Sequence, residues 1–221
     1  MEKYLSLKDH VYNYISDEIN KGSLSPGDKI SEAQIEKALN ISKTPVREAL
    51  IQLSSDGYLD NIPRKGFRVK FLSVEKAKDL YEIIGTLDGR AAALACPFVN
   101  ENEIAKMQFL VESMDAAISQ GLFDKYYQLQ VEFHDVYLEL CPNVELPPLM
   151  QKLKNNFIRK YYFFEDPDNA AKSLHNANVQ HAHMIELFKE KDAQGLEEFL
   201  RNIHWNKEDA KLDSIGQIGT K

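Results

Sequence analysis

The sequence has little cysteine and no long hydrophobic run. Its two cysteines, Cys96 and Cys141, lie far apart and form no C-x-x-C pair, which predicts reduced, half-buried thiols of a cytosolic protein. No apolar stretch approaches the length that crosses a bilayer, and the first residues contain no apolar segment of the kind found in a signal peptide. We therefore expect a cytoplasmic protein without a membrane partner.

The signatures of common enzyme classes are also missing. The chain contains no H-E-x-x-H or E-x-x-H motif, no glycine-rich phosphate loop, and no nucleophile with a base at a recognisable spacing. It contains no internal repeat and no low-complexity stretch. The sequence therefore predicts a protein that is not an enzyme.

Positive charge is scarce overall but is concentrated in one short segment. The 221 residues carry a net charge of −7 and are 43% hydrophobic, enough to bury a core. Residues 1–70 contain 11 Lys and Arg against 10 Asp and Glu, whereas residues 71–221 contain 16 against 24. Within 41–70 there are six cations and three anions. This distribution is typical of a DNA-binding module attached to an acidic body that does not contact DNA.

The stretch 42–57 indicates a helix whose N-terminal end is free for binding. Thr44 and Pro45 are typical of an N-cap and a first turn, and Gly57 is typical of the residue after a helix. The apolar positions share one helix face: Val46, Ala49, Leu50 and Leu53. Two cations and two hydroxyls at the N-terminal end suit phosphates and base edges: Ser42, Lys43, Thr44 and Arg47. The alternative is an ordinary capped helix with solvated charges.

Two further helices precede this one. Residues 7–21 are amphipathic, and Ser31 with Gln34 matches a capping box that begins a second, short helix. A tight connection then leads into 42–57. Helix, short turn and helix make a helix-turn-helix pattern.

A basic-tipped β-hairpin follows Gly57. Residues 58–62 and 67–71 are short extended runs, and the second alternates, with Phe67, Val69 and Phe71 on one side. The tip between the two runs carries Arg64 and Lys65. Three helices and this hairpin predict a winged helix-turn-helix, in which the wing follows DNA phosphates or the minor groove.

These segments resemble the GntR family of bacterial repressors over roughly residues 8–70. The resemblance is carried by Leu-Ser-Pro-Gly-Asp-Lys-Ile-Ser-Glu at 24–32, Ser-Lys-Thr-Pro-Val-Arg-Glu-Ala-Leu at 42–50, Gly-Tyr-Leu at 57–59 and Arg-Lys-Gly-Phe-Arg-Val at 64–69. It implies a dimeric transcription factor that binds a short palindromic operator in double-stranded DNA. The family's DNA-contacting positions fall on Ser42, Lys43, Thr44, Arg47 and the wing glycine Gly66.

Two positions depart from the usual family pattern. Lys43 and Ala33 stand where the family commonly has Arg. Because Lys reads guanine less well than the planar guanidinium of Arg, we expect an altered operator or a lower affinity.

From Ser73 onward the sequence predicts helices only. We expect six helices in an antiparallel bundle, over about 74–95, 100–120, 124–140, 148–164, 170–190 and 192–209. The fold is therefore mainly α. We expect a winged helix-turn-helix domain at 1–72, an all-helical effector-binding and dimerisation domain at 73–213, and a disordered tail at 214–221.

The order of these helices resembles the FCD effector domain of the FadR subgroup, at the size of its VanR-like members. Glu132-Phe133-His134, Asn143, His181 and His204 carry this resemblance. It implies a divalent transition metal, Zn²⁺ or Ni²⁺, at Gln130, His134, His181 and His204. Gln130 replaces the family's carboxylate, and His204 lies one residue late, about 100° round a regular helix. The alternative is a set of core histidines that are hydrogen-bonded to neighbours.

An effector site is predicted beside the histidines. Arg159 and Tyr161 are positioned to hold the carboxylate of a small organic acid; the alternative is an aromatic core with solvated cations. Ile84 stands where the family has a second, carboxylate-binding Arg.

The sequence as a whole favours a transcriptional repressor whose operator affinity a small-molecule effector controls. One alternative is a helical-bundle metal-dependent protein or enzyme that uses its winged helix for protein contacts. A second is a DNA-binding protein that responds to no effector.

Overall fold

The computed structural model describes residues 5–20, 23–157 and 167–212. They form two compact units. The first contains the described residues up to Val74 together with 152–157, and the second contains those from Glu75 to Gln151 and 167–212. The domain boundaries expected from the sequence, at 72/73 and 213/214, remain a prediction.

The first unit is a winged helix-turn-helix, as the sequence predicts. Its elements in chain order are α1 (Leu7–Asn20), α2 (Glu32–Leu39), α3 (Lys43–Ser55), β1 (Leu59–Ile62) and β2 (Gly66–Val69). Apolar side chains from all five elements form one core: Val11, Ile15, Ile19, Ile30, Ile35, Val46, Ala49, Leu50, Leu53, Leu59, Phe67 and Val69. The helical stripe expected on 42–57 is therefore the face that α3 buries.

Helix α3 begins earlier than its sequence suggests. Ser42, with extended backbone, is the N-cap, and its carbonyl accepts the N–H of Val46; the prediction of Thr44 as the cap was wrong. Pro45 is tolerated as the third helical residue because the first four N–H groups of a helix have no partner within it. At the other end Gly57 has φ +92° and the N–H of Tyr58 bonds to Leu53, which is the glycine-terminated end predicted from the sequence.

The wing is a two-stranded antiparallel hairpin. Leu59 pairs with Val69 and Ile62 with Gly66. Phe67 and Val69 are buried, whereas Phe71, which the alternation places on the same side, follows the end of β2 at Val69 and is 53% exposed. The Arg68 guanidinium bonds to the carbonyl of Gly27, which ties the wing to the loop before α2.

Residues 152–157 pack with the first unit. The Asn155 side chain donates to the carbonyl of Asp56 at 2.9 Å. The Lys70 ammonium donates to the carbonyl of Gly57 at 2.7 Å and to Oδ1 of Asn156 at 2.9 Å. These donors satisfy carbonyls at the C-terminal end of α3 that have no partner within the helix.

The second unit confirms the predicted all-helical body. Its helices are α4 (Val74–Ala95), α5 (Glu101–Ser119), α6 (Phe123–Leu138), α7 (Leu146–Lys154), α8 (Pro167–Lys189) and α9 (Ala193–Phe199). The capping box expected at 100–103 is present. The Glu103 carboxylate accepts the backbone N–H of Asn100, and the Asn100 side chain accepts the backbone N–H groups of Asn102 and Glu103. The helix expected at 148–164 begins at Leu146 and ends at Lys154, so the prediction was wrong for 155–157, and 158–164 lie outside the described residues.

The last predicted helix, 192–209, is not a single α-helix. Helix α9 ends at Phe199 and continues as a π-helical turn over Leu200–His204. The N–H of Trp205 bonds to the carbonyl of Leu200, five residues back, which is the hydrogen bond of a π-turn. A 3₁₀ turn at Asp209–Leu212 follows.

Candidate functional site

The N-terminal end of α3 is exposed and positively charged. Ser42, Lys43, Thr44 and Arg47 are all exposed, while Val46 on the same turn is fully buried. The tight connection before α3 depends on Asn40, whose left-handed backbone (φ 53°) ends α2 and whose N–H bonds to the carbonyl of Glu36. Burial of one face therefore fixes the other face, with both cations, toward solvent.

The wing tip on the same unit carries two more exposed cations. Arg64 and Lys65 are exposed and Gly66 is half-buried. Gly66 has φ +87°, which favours glycine. A Cβ at this position would meet only the Lys29 side chain, at 3.8 Å. Glycine at this position is therefore explained by its backbone conformation rather than by crowding within the chain.

These cations are available to an external anion. Across residues 5–20, 23–157 and 167–212, no ion pair involves the four cations Lys43, Arg47, Arg64 and Lys65. Exposed cations at a helix N-terminus and a hairpin tip suit the phosphates of a nucleic acid. The DNA-binding role of the seven residues named from the sequence stays a prediction.

Three histidines from separate elements meet inside the second unit. His134 lies on α6, His181 on α8 and His204 on the π-turn. One ring nitrogen from each lies within 4.8 Å of the others, and Nε2 of His134 is 3.3 Å from Nε2 of His204. His134 and His181 are 3% and 1% exposed, so both point to the interior.

The π-turn explains how His204 reaches the cluster. In a regular helix its late position turns the ring about 100° away from the other two histidines. A π-turn takes up one extra residue by replacing the four-residue hydrogen bond with a five-residue one. Because this turn spans Leu200–His204, the extra residue is absorbed directly before the imidazole.

Each imidazole has a hydrogen-bond partner at Nδ1. Nδ1 of His204 is 3.0 Å from Oε1 of Gln180, and Nδ1 of His181 is 3.4 Å from Oδ1 of Asn178. Nδ1 of His134 is 2.7 Å from the hydroxyl of Tyr137. The amide oxygens of Gln180 and Asn178 accept hydrogen bonds and hold the protons of His204 and His181 on Nδ1, so that Nε2 presents the lone pair that a metal ion would bind.

The cluster fits a transition metal. Two nitrogens bound at 2.0–2.1 Å in a tetrahedral site lie about 3.3 Å apart, which is the separation of the Nε2 atoms of His134 and His204. Nε2 of His181 is buried and has no hydrogen-bond partner, and a buried polar atom of this kind is costly unless it binds something. Three imidazoles suit Zn²⁺ or Ni²⁺.

The electrostatics of His181 favour the same ligand form. Burial lowers the pKa of His181 well below its ordinary value, and the neighbouring His204 and His134 lower it further. The ring is therefore neutral at neutral pH. A neutral imidazole is the form that binds a metal ion.

Asp88 of α4 lies beside this cluster and was missed by the sequence reasoning. Its side chain is fully buried; Oδ1 accepts the hydroxyl of Tyr137 at 2.7 Å, and Oδ2 accepts the indole N–H of Trp205 at 2.8 Å. Oδ2 also lies 3.5 Å from Nδ1 of His134. The available signal was a carboxylate one turn after Ile84 on an otherwise apolar helix face.

Two glycines on α4 allow α9 and the π-turn after it to lie close to α4. A Cβ on Gly89 would lie 2.6 Å from the carbonyl oxygen of Glu197, and one on Gly85 would lie 2.8 Å from Cβ of Trp205. Both distances are below van der Waals contact. The absence of these side chains therefore lets α9 and the π-turn approach α4 and place Trp205 against Asp88.

Gln130, Arg159 and Tyr161, the other residues named from the sequence for this domain, are not among the clustered side chains that the structure describes. Gln130 is half-buried, one turn before His134 on α6. Arg159 and Tyr161 lie outside the described residues, so their predicted role in effector binding stays a prediction. A further histidine, His183, is exposed and its ring packs on Phe199.

Comparison with known families gives two matches. Residues 7–69 match the bacterial regulatory proteins of the gntR family, and residues 79–204 match the FCD domain. The second match covers more than half of the chain. It includes all three clustered histidines and Asp88.

Individual relatives are also transcriptional regulators. The chain is 37% identical to the Nta operon transcriptional regulator of Aminobacter aminovorans over 55% of this chain and 57% of that protein. It is 28% identical to the uncharacterized HTH-type regulator YdhC of Bacillus subtilis, over 65% of each. These alignments span less than two thirds of either relative. The HTH-type transcriptional regulator McbR of Escherichia coli is 25% identical over 91% of this chain and 90% of its own length.

Solved structures share the fold. The structure of E. coli McbR/YncC superposes with a TM-score of 0.73 at 23% identity, over 94% of this chain and 97% of that one. A GntR regulator from Rhodococcus sp. RHA1 gives 0.69 at 17% identity, over 94% and 98%. These likenesses establish the fold alone.

Among the described residues, none of the helices has the length and apolarity that a membrane span requires. The matched families and relatives are regulators of transcription rather than enzymes, as the missing catalytic motifs predict. The chain belongs to the GntR family of bacterial transcriptional regulators and carries, after its winged helix-turn-helix, the FCD domain typical of the FadR-like subgroup.

Proposed function

We propose that this regulator is a homodimeric repressor whose affinity for a palindromic operator is controlled by a small-molecule effector. One observation carries the proposal: Lys43 and Arg47 at the N-terminus of α3, and Arg64 and Lys65 at the wing tip, are all exposed on one unit. In such modules the second helix enters the major groove and the wing follows the backbone or minor groove. Since operator DNA lies in the bacterial cytoplasm, the protein acts there.

Ser42, Thr44 and Gly66 complete the proposed DNA surface. The two hydroxyls are placed to bond phosphate oxygens or base edges. Gly66 lets the wing backbone approach DNA closely, because no side chain stands above it. The acidic body, with 24 Asp and Glu against 16 Lys and Arg over 71–221, is repelled by the duplex and stays clear of it.

A mobility-shift assay tests the DNA surface. The probe is a duplex recovered from a random pool by selection with the wild-type protein, and its recovered consensus should be two-fold symmetric. Lys43→Ala and Arg47→Ala should each abolish the shift without changing the melting temperature, whereas Lys106→Ala, an exposed cation on α5, should not. Retained binding in both test variants would remove the proposal.

The FCD domain is proposed to hold its effector at a metal centre formed by His134, His181 and His204. The support is the buried, unpartnered Nε2 of His181 together with the 3.3 Å separation of the other two Nε2 atoms. A bound Zn²⁺ or Ni²⁺ supplies a positive charge that attracts the carboxylate of an organic acid. Gln130, one turn before His134, leaves one coordination position without a protein carboxylate.

The single tryptophan of the chain offers a direct test of the metal. The Trp205 ring lies 5.8 Å from the ring of His204, centre to centre. Titration with Co²⁺ should quench its fluorescence, and Zn²⁺ should compete; His204→Ala should remove the effect, while His183→Ala should not. Protein purified without added metal that contains no ion, and that no added Zn²⁺ or Ni²⁺ alters, would exclude the metal centre.

A further inference from the structure

We propose that Asp88 is a positioning residue for the metal centre, because its carboxylate, acting through Tyr137, keeps the proton of His134 on Nδ1 and so leaves Nε2 free to bind the ion. The inference rests on the proposed metal function. It concerns a residue on α4 that belongs to neither the expected ligand set nor the expected effector site.

Asp88, Tyr137 and His134 form a short chain of hydrogen bonds. Tyr137 donates its hydroxyl proton to Oδ1 of Asp88 at 2.7 Å. The same hydroxyl lies 2.7 Å from Nδ1 of His134. Since a tyrosine has only one hydroxyl proton and donates it in the hydrogen bond to Asp88, its oxygen accepts a hydrogen bond from the Nδ1–H group of His134.

The carboxylate fixes the direction of the whole chain. An ionised carboxylate accepts hydrogen bonds and donates none, so Tyr137 is unable to turn its proton toward His134. With an amide in place of the carboxylate, the amide NH₂ is able to donate to Tyr137, whose proton then turns to Nδ1 of His134. The imidazole proton would move to Nε2 and block the lone pair that binds the metal.

Asp88 does not act as a ligand itself. Its Oδ2 lies 3.5 Å from Nδ1 of His134, on the opposite side of the ring from Nε2, which faces His204 at 3.3 Å. Among the described residues, the cluster that is able to hold an ion contains the three histidines without Asp88. Its influence on an ion therefore passes through the His134 ring.

The charge of Asp88 also compensates for Gln130. Three neutral imidazoles and a neutral amide leave a buried divalent cation without an anionic ligand. The fully buried carboxylate of Asp88, one imidazole ring away, supplies the negative charge from outside the ligand set. Asp88 therefore supplies from α4 the negative charge that Gln130 does not supply from α6.

NMR of the protein without metal tests the tautomer directly. The ¹⁵N shifts of the imidazole nitrogens should show His134 protonated at Nδ1 in the wild type. Asp88→Asn should shift the proton toward Nε2. Asp79→Asn, the same change at an exposed position of α4, should leave it on Nδ1.

Metal affinity gives the second readout. Competition with a chromogenic chelator should show Zn²⁺ binding 10–100-fold more weakly to Asp88→Asn, with Asp79→Asn unchanged. A change below about twofold in Asp88→Asn, or Nε2 protonation of His134 in the wild type, would overturn the role of Asp88 alone. Failure of the wild type to bind Zn²⁺, Ni²⁺ or Co²⁺ would overturn both this inference and the metal centre. If Asp88→Asn does not fold, the wild-type tautomer still decides.

Discussion

At the scale of single residues, Gly89 determines how closely α4 and α9 approach. A Cβ there would lie 2.6 Å from the carbonyl oxygen of Glu197 and 3.2 Å from its Cα. These are backbone atoms, so the clash is relieved only by moving a helix. The position of Trp205, and with it the contact to Asp88, follows from this close packing.

Gly89→Ala should therefore destabilise the protein. Helix propensity alone would favour alanine by about 1 kcal/mol, but overpacking costs about 1–3 kcal/mol, so we expect a net loss near 1 kcal/mol in urea unfolding. Thr86→Ala, at an exposed position of the same helix, should change stability by less than about 0.5 kcal/mol. A Gly89→Ala protein as stable as the wild type would contradict the packing described.

The sequence predicted the exposed cations of α3 but not the buried carboxylate of α4. Exposure of Lys43 and Arg47 follows from the helical period, because both lie off the apolar stripe that α3 buries. Asp88 escaped prediction because a carboxylate within an apolar stripe carries no local sign of its partners. Those partners, Tyr137 and Trp205, lie 49 and 117 residues away in the chain.

At the scale of elements, the π-turn is the feature that sequence spacing did not predict. Regular helical geometry turns the His204 side chain away from the other histidines, and the structure corrects this with one wider turn. Periodicity arguments assume 3.6 residues per turn throughout a helix. They fail where one residue has been inserted and absorbed, although they located the helices α4 to α6 well.

Deletion of Asn202 should convert the π-turn into a regular α-turn and keep the imidazole in the cluster. Asn202 is exposed, and its loss moves the histidine to the position that regular helical spacing favours. We expect Zn²⁺ affinity within about fivefold of wild type by chelator competition. Deletion of Val179, 56% exposed on the regular helix α8, should abolish binding, because it rotates His181 by about 100°.

The two deletions together separate the explanations. If both abolish Zn²⁺ binding while the melting temperatures stay near that of the wild type, the π-turn does more than absorb an extra residue. If only the deletion in α8 does so, the one-residue account holds.

At the scale of the whole molecule, positive charge is concentrated in the DNA-binding unit and negative charge in the helical body. The chain has a net charge of −7, yet 41–70 holds six cations against three anions. Association with DNA then depends on a small number of phosphate contacts. Each contact releases condensed counterions, which makes affinity depend steeply on salt.

Lys65→Ala should weaken binding to every duplex to a similar extent, because we propose that a cation at the wing tip contacts phosphate rather than base edges. The slope of log K against log salt concentration should become shallower by about 1 for each protomer bound.

Lys43→Arg should instead change which duplexes are selected, since a planar guanidinium reads guanine differently from an ammonium. Binding isotherms at several salt concentrations, on the selected duplex and on one with a scrambled sequence, distinguish the two effects. A Lys65→Ala protein with an unchanged slope and an altered sequence preference would place the wing tip on base edges and reverse the roles assigned to α3 and the hairpin.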